Sequence, residues 1–198
     1  LPAAALVHFG SLGAALSPGS ASVERLVRDS ADAAITFDPN IRTRLEPDLA
    51  AAKHRVEQHV RWSTMVKASQ EDIAALYRHS RLEHVARRWL SLGPSLVVVT
   101  RGEYGSYAVT KRGAVACPAP RTDVVDTIGA GDAVMSTLIA QLVRLGDDRE
   151  TITAGIEALS PDAVEEMLGL AAAAAAITVA REGAEPPTRG ELPQAALG

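Results

Sequence analysis

The sequence predicts an α/β fold, a mostly parallel sheet with helices on both faces. Three observations lead there. Short apolar runs of strand character alternate with stretches of helical period along the chain. Leu96–Thr100 is apolar and β-branched without alternation, as a strand covered on both faces should be. The small-residue turn Gly129-Ala130-Gly131 runs directly into an apolar, Ala-rich segment, the signature of a loop becoming a helix.

The elements follow in order. Leu6–Gly10 reads as a strand, and Ser20–Asp29 as a helix with Val23, Leu26 and Val27 on one face. Ala34–Asp38 is a short buried strand broken by Pro39. After Pro47 a helix carries Leu49, Val56 and Val60, and Thr64–Lys67 is the next strand. Ser69 or Gln70 opens a helix through Ala75 and Leu76, and a further helix over Leu82–Leu92 stops at Gly93-Pro94. Ser106–Thr110 and Ala114–Cys117, split by Lys111-Arg112-Gly113, form a hairpin. A helix over Gly129–Leu145 closes at Gly146, and a long Ala-rich one covers Ala163–Ala180. No internal repeat or linker suggests a second domain.

Composition narrows the function. A chain of 198 residues, 47% hydrophobic and 22% charged, suits one globular domain. A net charge of −4 offers no basic footprint for nucleic acid. No apolar run reaches membrane-spanning length, and the first residues lack a signal-peptide pattern. The single cysteine, Cys117, excludes an intrachain disulfide and fits a reducing cytoplasm. The histidine pairs His54/His59 and His79/His84 are each five residues apart, off the spacing that shares a helix face, so they read as structural or surface groups.

The chemistry concentrates at Asp126-Thr127-Ile128-Gly129-Ala130-Gly131-Asp132. At the start of a helix the first N–H groups lack intrahelical partners, and the macrodipole adds partial positive charge. Glycines let a phosphate come close to such a backbone. Asp132 then stands beside the bound anion, where a carboxylate can take a proton from an attacking hydroxyl. An anion cradle with an adjacent acid is what phosphoryl transfer to an alcohol requires.

This segment resembles the C-terminal signature of the ribokinase/PfkB family of carbohydrate kinases. Three further blocks agree in order: Phe37-Asp38-Pro39-Asn40-Ile41-Arg42, Val66-Lys67-Ala68-Ser69-Gln70-Glu71-Asp72 and Val97-Val98-Val99-Thr100-Arg101-Gly102-Glu103-Tyr104-Gly105. The first two look most like the fructokinase branch, and the resemblance runs from about His8 to Ala184. It implies a ribokinase-like domain over residues 1–185 with a Pro-rich tail over 186–198, and transfer of the γ-phosphoryl group of ATP to a sugar hydroxyl. Asp132 would be the base, and the N–H groups of Gly129, Ala130 and Gly131 would stabilise the transferring charge.

The same resemblance assigns the supporting residues. Thr100, Arg101, Gly102 and Gly105 would meet the nucleotide, with Lys67 either reaching its phosphates or facing water. The turn at Gly183 and Ala184 would close the nucleotide site near a monovalent cation, K⁺, at Asp126 and Ile128. Asn40 and Arg42 would contact the sugar beside Asp132.

Ser69, Glu71 and Asp72 stand where relatives carry Asn-x-x-Glu to organise Mg²⁺ through water, with Ser69 in place of Asn and Asp72 in place of Glu. Ser69 also reads as an ordinary helix N-cap followed by two first-turn acids. A 2-keto-3-deoxygluconate-type kinase and a non-catalytic nucleotide-binding protein remain alternatives. The chain opens at Leu1 with a strand already under way, so the family's opening strands, β lid and Gly-Gly-Asn-type motif are expected outside it. The donor side is therefore expected nearly complete and the sugar side mostly absent, along with the lid through which many relatives dimerise.

Overall fold

The computed structural model describes residues 4–193. The last residues of the predicted tail, 194–198, and residues 1–3 lie outside them. Strand β1 (Leu6–Gly10) leads through α1 (Ser11–Ala15) and α2 (Gly19–Asp29) to β2 (Ala34–Asp38). Helix α3 (Leu49–Trp62) leads to β3 (Met65–Ser69), and α4 (Gln70–Leu76) with α5 (Leu82–Leu90) to β4 (Leu96–Thr100). The hairpin β5 (Ser106–Thr110) and β6 (Gly113–Cys117) precedes α6 (Ala130–Leu142), α7 (Arg149–Ala158) and α8 (Pro161–Val179).

The strands form one six-stranded sheet in the order β1-β2-β3-β4-β5-β6. The first four are parallel, and β5 and β6 are antiparallel. Each parallel step needs a helical crossover of the same hand, and strands added in sequence order put those helices on one face. The apolar sets divide accordingly, because alternate side chains of a strand point to opposite faces. Phe9, Ile35, Phe37, Val66, Ala68, Val97, Val99 and Val109 pack with α3, α4 and α5. Ala34, Met65, Leu96, Val98 and Ala108 pack with α6, α7 and α8. The predicted mostly parallel sheet with helices on both faces is the observed fold.

Side-chain chemistry explains the larger anchors. Trp89 is fully buried and donates its indole N–H to the Tyr77 hydroxyl at 2.8 Å, which donates in turn to Glu57 at 2.7 Å. His59 is buried edge-on to Phe9 and Phe37, and that burial holds its imidazole down at about 4.

Some boundaries differ from expectation. Helix α6 ends at Leu142 rather than Leu145, and α8 begins at Pro161, where Ser160 caps it by accepting from the Ala163 N–H at 3.2 Å. Helix α7 had no element predicted for it. It buries Ile152 and Ile156, with Leu159 packed against the same core at the next helical spacing, and its start is set by Asp148 accepting from the Thr151 N–H at 2.8 Å. The described part of the tail has a short 3₁₀ turn, Arg189–Glu191, in which Glu191 pairs with Arg181.

Candidate active site

On the sheet face toward α6, each parallel strand changes character along its length. β2 presents Ala34, Thr36 and Asp38, β3 presents Met65, Lys67 and Ser69, and β4 presents Leu96, Val98 and Thr100. The starts of these rows are apolar and belong to the core; the carboxyl ends are polar. Parallel pairing sets those ends side by side, with Ser69 opposite Thr100 and Lys67 opposite Val98. Ligands of open α/β sheets collect beyond this edge. A cavity of about 1070 Å³ opens there, and Asn40, Ser69, Thr100 and Gly129, from four separate segments, all line it.

The first turn of α6 forms one wall. Gly129 takes the N-cap position at φ 81° and ψ −8°, a left-handed conformation that favours glycine, and a Cβ there would lie 2.9 Å from the Cβ of Ala184. The Ala130 N–H turns back to the Thr127 carbonyl at 3.4 Å. The N–H groups of Gly129, Gly131 and Asp132 are the turn's remaining donors. Asp132 is exposed at the cavity, in the first turn.

The loop before this turn is braced by Asp126. Its Oδ1 accepts from the Ile128 N–H at 3.0 Å, and its Oδ2 from the Gly183 N–H at 3.1 Å. The N–H groups of Val125 and Asp126 also donate to the Val179 carbonyl at 2.8 and 3.1 Å. Asp126, Gly183 and Ala184 therefore hold the anion turn from behind and do not line the cavity. Each Asp126 oxygen keeps lone-pair capacity, so a monovalent cation is compatible with this corner.

Lys67 lines the cavity, as Asp38 does. It is buried, with Nζ 2.7 Å from Asp38 Oδ2 and donating to the Gly131 carbonyl at 3.4 Å. Burial pushes the Asp38 carboxyl above its ordinary range, and the neighbouring ammonium opposes that rise.

Ser69 and Asp72 close a capping box at the start of α4. Ser69 Oγ accepts from the Asp72 N–H at 3.0 Å, while Asp72 Oδ2 accepts from the Ser69 N–H and hydroxyl, both at 2.8 Å. Asp72 Oδ1 accepts from the Ile41 N–H at 2.6 Å, which fixes the loop carrying Asn40 and Arg42 to the cavity. Both acids line the cavity, but Asp72 is buried and committed, whereas Glu71 is exposed. Of the two acids, Glu71 is free to meet the water shell of a cation. Replacing Ser69 by Ala removes the cap and should cost about 1 kcal/mol in urea unfolding, with only a modest effect on cation dependence. A strong loss of magnesium dependence would instead mark Ser69 as a metal-site residue.

The β4–β5 loop supplies another wall through Thr100, Gly102 and Gly105. Arg101 does not line the cavity. Its guanidinium donates to the carbonyls of Tyr104 at 2.9 Å and Ser106 at 3.3 Å, so its charge is held by its own loop. The cation at this side of the cavity is Arg121, on the connection after β6, with Pro120 and Thr122 beside it. Nothing local in that Pro-rich connection signals its place. The apolar wall comes from Val134 of α6 and Leu168, Ala171, Ala172 and Ala175 of α8.

Comparison with known proteins bears on the whole arrangement. The family model described as pfkB family carbohydrate kinase matches residues 1–189. A fructokinase of Rhizobium leguminosarum bv. trifolii is 35% identical over 137 residues, 69% of this chain and 42% of its own length. The probable fructokinase-4 of Arabidopsis thaliana is 31% identical over 196 residues, 96% of this chain and 57% of its own. Among solved structures, the fructokinase with bound ATP from Xylella fastidiosa superposes with a TM-score of 0.80 at 23% identity, over 91% of this chain and 56% of that one. The aminoimidazole riboside kinase of Salmonella enterica, complexed with aminoimidazole riboside and an ATP analog, gives 0.70 at 24% identity, over 90% and 57%. The chain spans about half the length of the relatives it matches.

Proposed function

The chain belongs to the pfkB family of carbohydrate kinases, and on that premise we propose that it serves transfer of the γ-phosphoryl group of ATP to a sugar hydroxyl, with a fructose-like hexose as acceptor. The observation that carries this reading is Asp132 exposed in the first turn of α6, beside the Gly129–Gly131 backbone, at a cavity where β2, β3 and β4 end. The two curated fructokinases described above support the acceptor class.

Asp132 takes the proton of the acceptor hydroxyl as its oxygen forms a bond to the γ-phosphorus. The bond from that phosphorus to the β–γ bridging oxygen breaks, and ADP leaves with the electron pair. Negative charge on the transferring group meets the N–H donors of Gly129, Gly131 and Asp132, with the Ala130 peptide completing the turn, at the positive end of α6. Lys67 acts on this turn through the Gly131 carbonyl. Thr100, Gly102 and Gly105 cradle the donor phosphates by backbone approach, and Ala171, Ala172 and Ala175 offer a flat apolar surface for the base. Asn40 and Arg42 orient the sugar. Glu71 would hold magnesium through water, and the ion would neutralise charge on the donor phosphates. A monovalent cation at Asp126 and Ile128 would stiffen the same turn.

Calorimetry tests the reading. With magnesium present, ATP is expected to bind saturably, because the phosphate-binding walls lie within this chain. Sugar affinity is expected to be weak in the same chain. Absence of nucleotide binding would defeat the proposal, and tight fructose binding without nucleotide would contradict the assignment of most sugar contacts to segments outside it.

A further inference from the structure

Lys67 spends its charge on the protein. Its side chain is 5% exposed, and the two partners of its ammonium are Asp38 Oδ2 at 2.7 Å and the Gly131 carbonyl at 3.4 Å. That carbonyl belongs to the peptide unit whose other end is the Asp132 N–H. We propose that Asp38 and Lys67 form a positioning pair that sets the plane and the polarity of the Gly131–Asp132 peptide, and with it the aim of the Asp132 carboxylate. The consequence for turnover rests on the kinase reading; the geometric effect on the peptide does not.

Three features support the assignment. A charged donor on a peptide carbonyl polarises the whole unit, so its N–H becomes a stronger donor at the place where a transferring phosphoryl group would gather charge. Gly131 leaves the room for this contact, since a Cβ there would come within 3.2 Å of the Lys67 ammonium. The pair is also poorly designed for stability alone. Among the described residues Asp38 Oδ1 is buried without a hydrogen-bond partner, and a buried ion pair with an unmatched oxygen contributes little net stability. Asp38 ends β2, Lys67 lies on β3 and Gly131 on α6, so one ammonium joins both strands to the catalytic turn. Asp38 acts through Lys67 and is a positioning residue.

The test compares the parent chain with Lys67→Met and Asp38→Asn by ¹⁵N-resolved NMR and by steady-state kinetics. In both variants the amide resonances of Gly131 and Asp132 are expected to move while those of the β5–β6 hairpin stay in place. The kcat is expected to fall about 10-fold or more with KM for ATP held within about 3-fold, the pattern of an interaction realised in the transition state. Unmoved Gly131 and Asp132 amides would overturn the proposal. So would a raised KM for ATP at unchanged kcat, which would make Lys67 only a phosphate contact. Should a single variant fail to fold with one buried charge unpaired, the double variant Asp38→Asn/Lys67→Met, which buries neither charge, is judged by the same criteria. Where weak sugar binding leaves this chain without measurable turnover, the amide shifts decide the positioning pair.

Discussion

In a protein that also carries the family's N-terminal sugar-side segments, Asp132→Asn is expected to lower kcat by about 10²-fold or more while leaving ATP affinity nearly unchanged. The substitution keeps the shape and the hydrogen-bonding capacity of the side chain and removes only its ability to take a proton. Asp132 is exposed at the cavity, in the first turn of a thirteen-residue helix, so the change leaves the core and the backbone donors of the turn untouched. Its effect should therefore appear in turnover and not in stability or nucleotide binding. Kinetics and calorimetry on the parent and variant proteins separate these quantities. Turnover by Asp132→Asn equal to that of the parent would place the base elsewhere.

Gly105→Ala is expected to damage both stability and the nucleotide wall. Gly105 sits at φ +81°, a conformation costing an L side chain about 1–2 kcal/mol. A Cβ there would also lie 2.6 Å from the backbone of Pro118 and Ala119, with the Cys117 carbonyl oxygen nearer still. Backbone atoms cannot swing aside as a side chain can, so the β4–β5 loop must part from the connection after β6, at roughly 1–3 kcal/mol more. Those two segments carry Thr100, Gly102, Pro120, Arg121 and Thr122 to the cavity. The expected result is a loss of about 2–5 kcal/mol in chemical denaturation, together with at least about 10-fold weaker ATP binding. By contrast, Gly102→Ala meets no described protein atom within 4 Å, so in denaturation it bears only the cost of its positive φ of 56° and should be much milder. Equal effects of the two substitutions would remove the steric account of Gly105.

The comparison between what the chain announces and what the fold adds turns on distance along the sequence. The alternation of strands with helices, the Gly93-Pro94 stop, the Ser69 cap and the Gly129-Ala130-Gly131 junction were all legible. Each depends on residues within a few positions, where period, capping and glycine freedom act. Pro39 and the polar ends of β2, β3 and β4 likewise marked the edge where a ligand would lie. Helix α7 was not read from the sequence, although Ile152, Ile156 and Leu159 stand at helical spacing behind the Asp148 cap.

The roles of the charged groups were decided by tertiary structure. From sequence alone Lys67 was open to phosphate or to water; the β2–β3 pairing puts Asp38 beneath it and α6 above it. Arg101 stood in the right loop, yet the tight turn over Gly102–Tyr104 folds its guanidinium onto the Tyr104 and Ser106 carbonyls, and Arg121 lines the cavity. Asp72 and Glu71 are adjacent in sequence; the local Ser69 capping box takes one Asp72 oxygen and the tertiary contact with the Ile41 N–H takes the other, which leaves Glu71 free. Local patterns determined which elements form and where the phosphate turn lies. The direction of each charge depended on partners brought close by strand register and helix packing, because the free energy of a buried charge is set by whatever surrounds it in space.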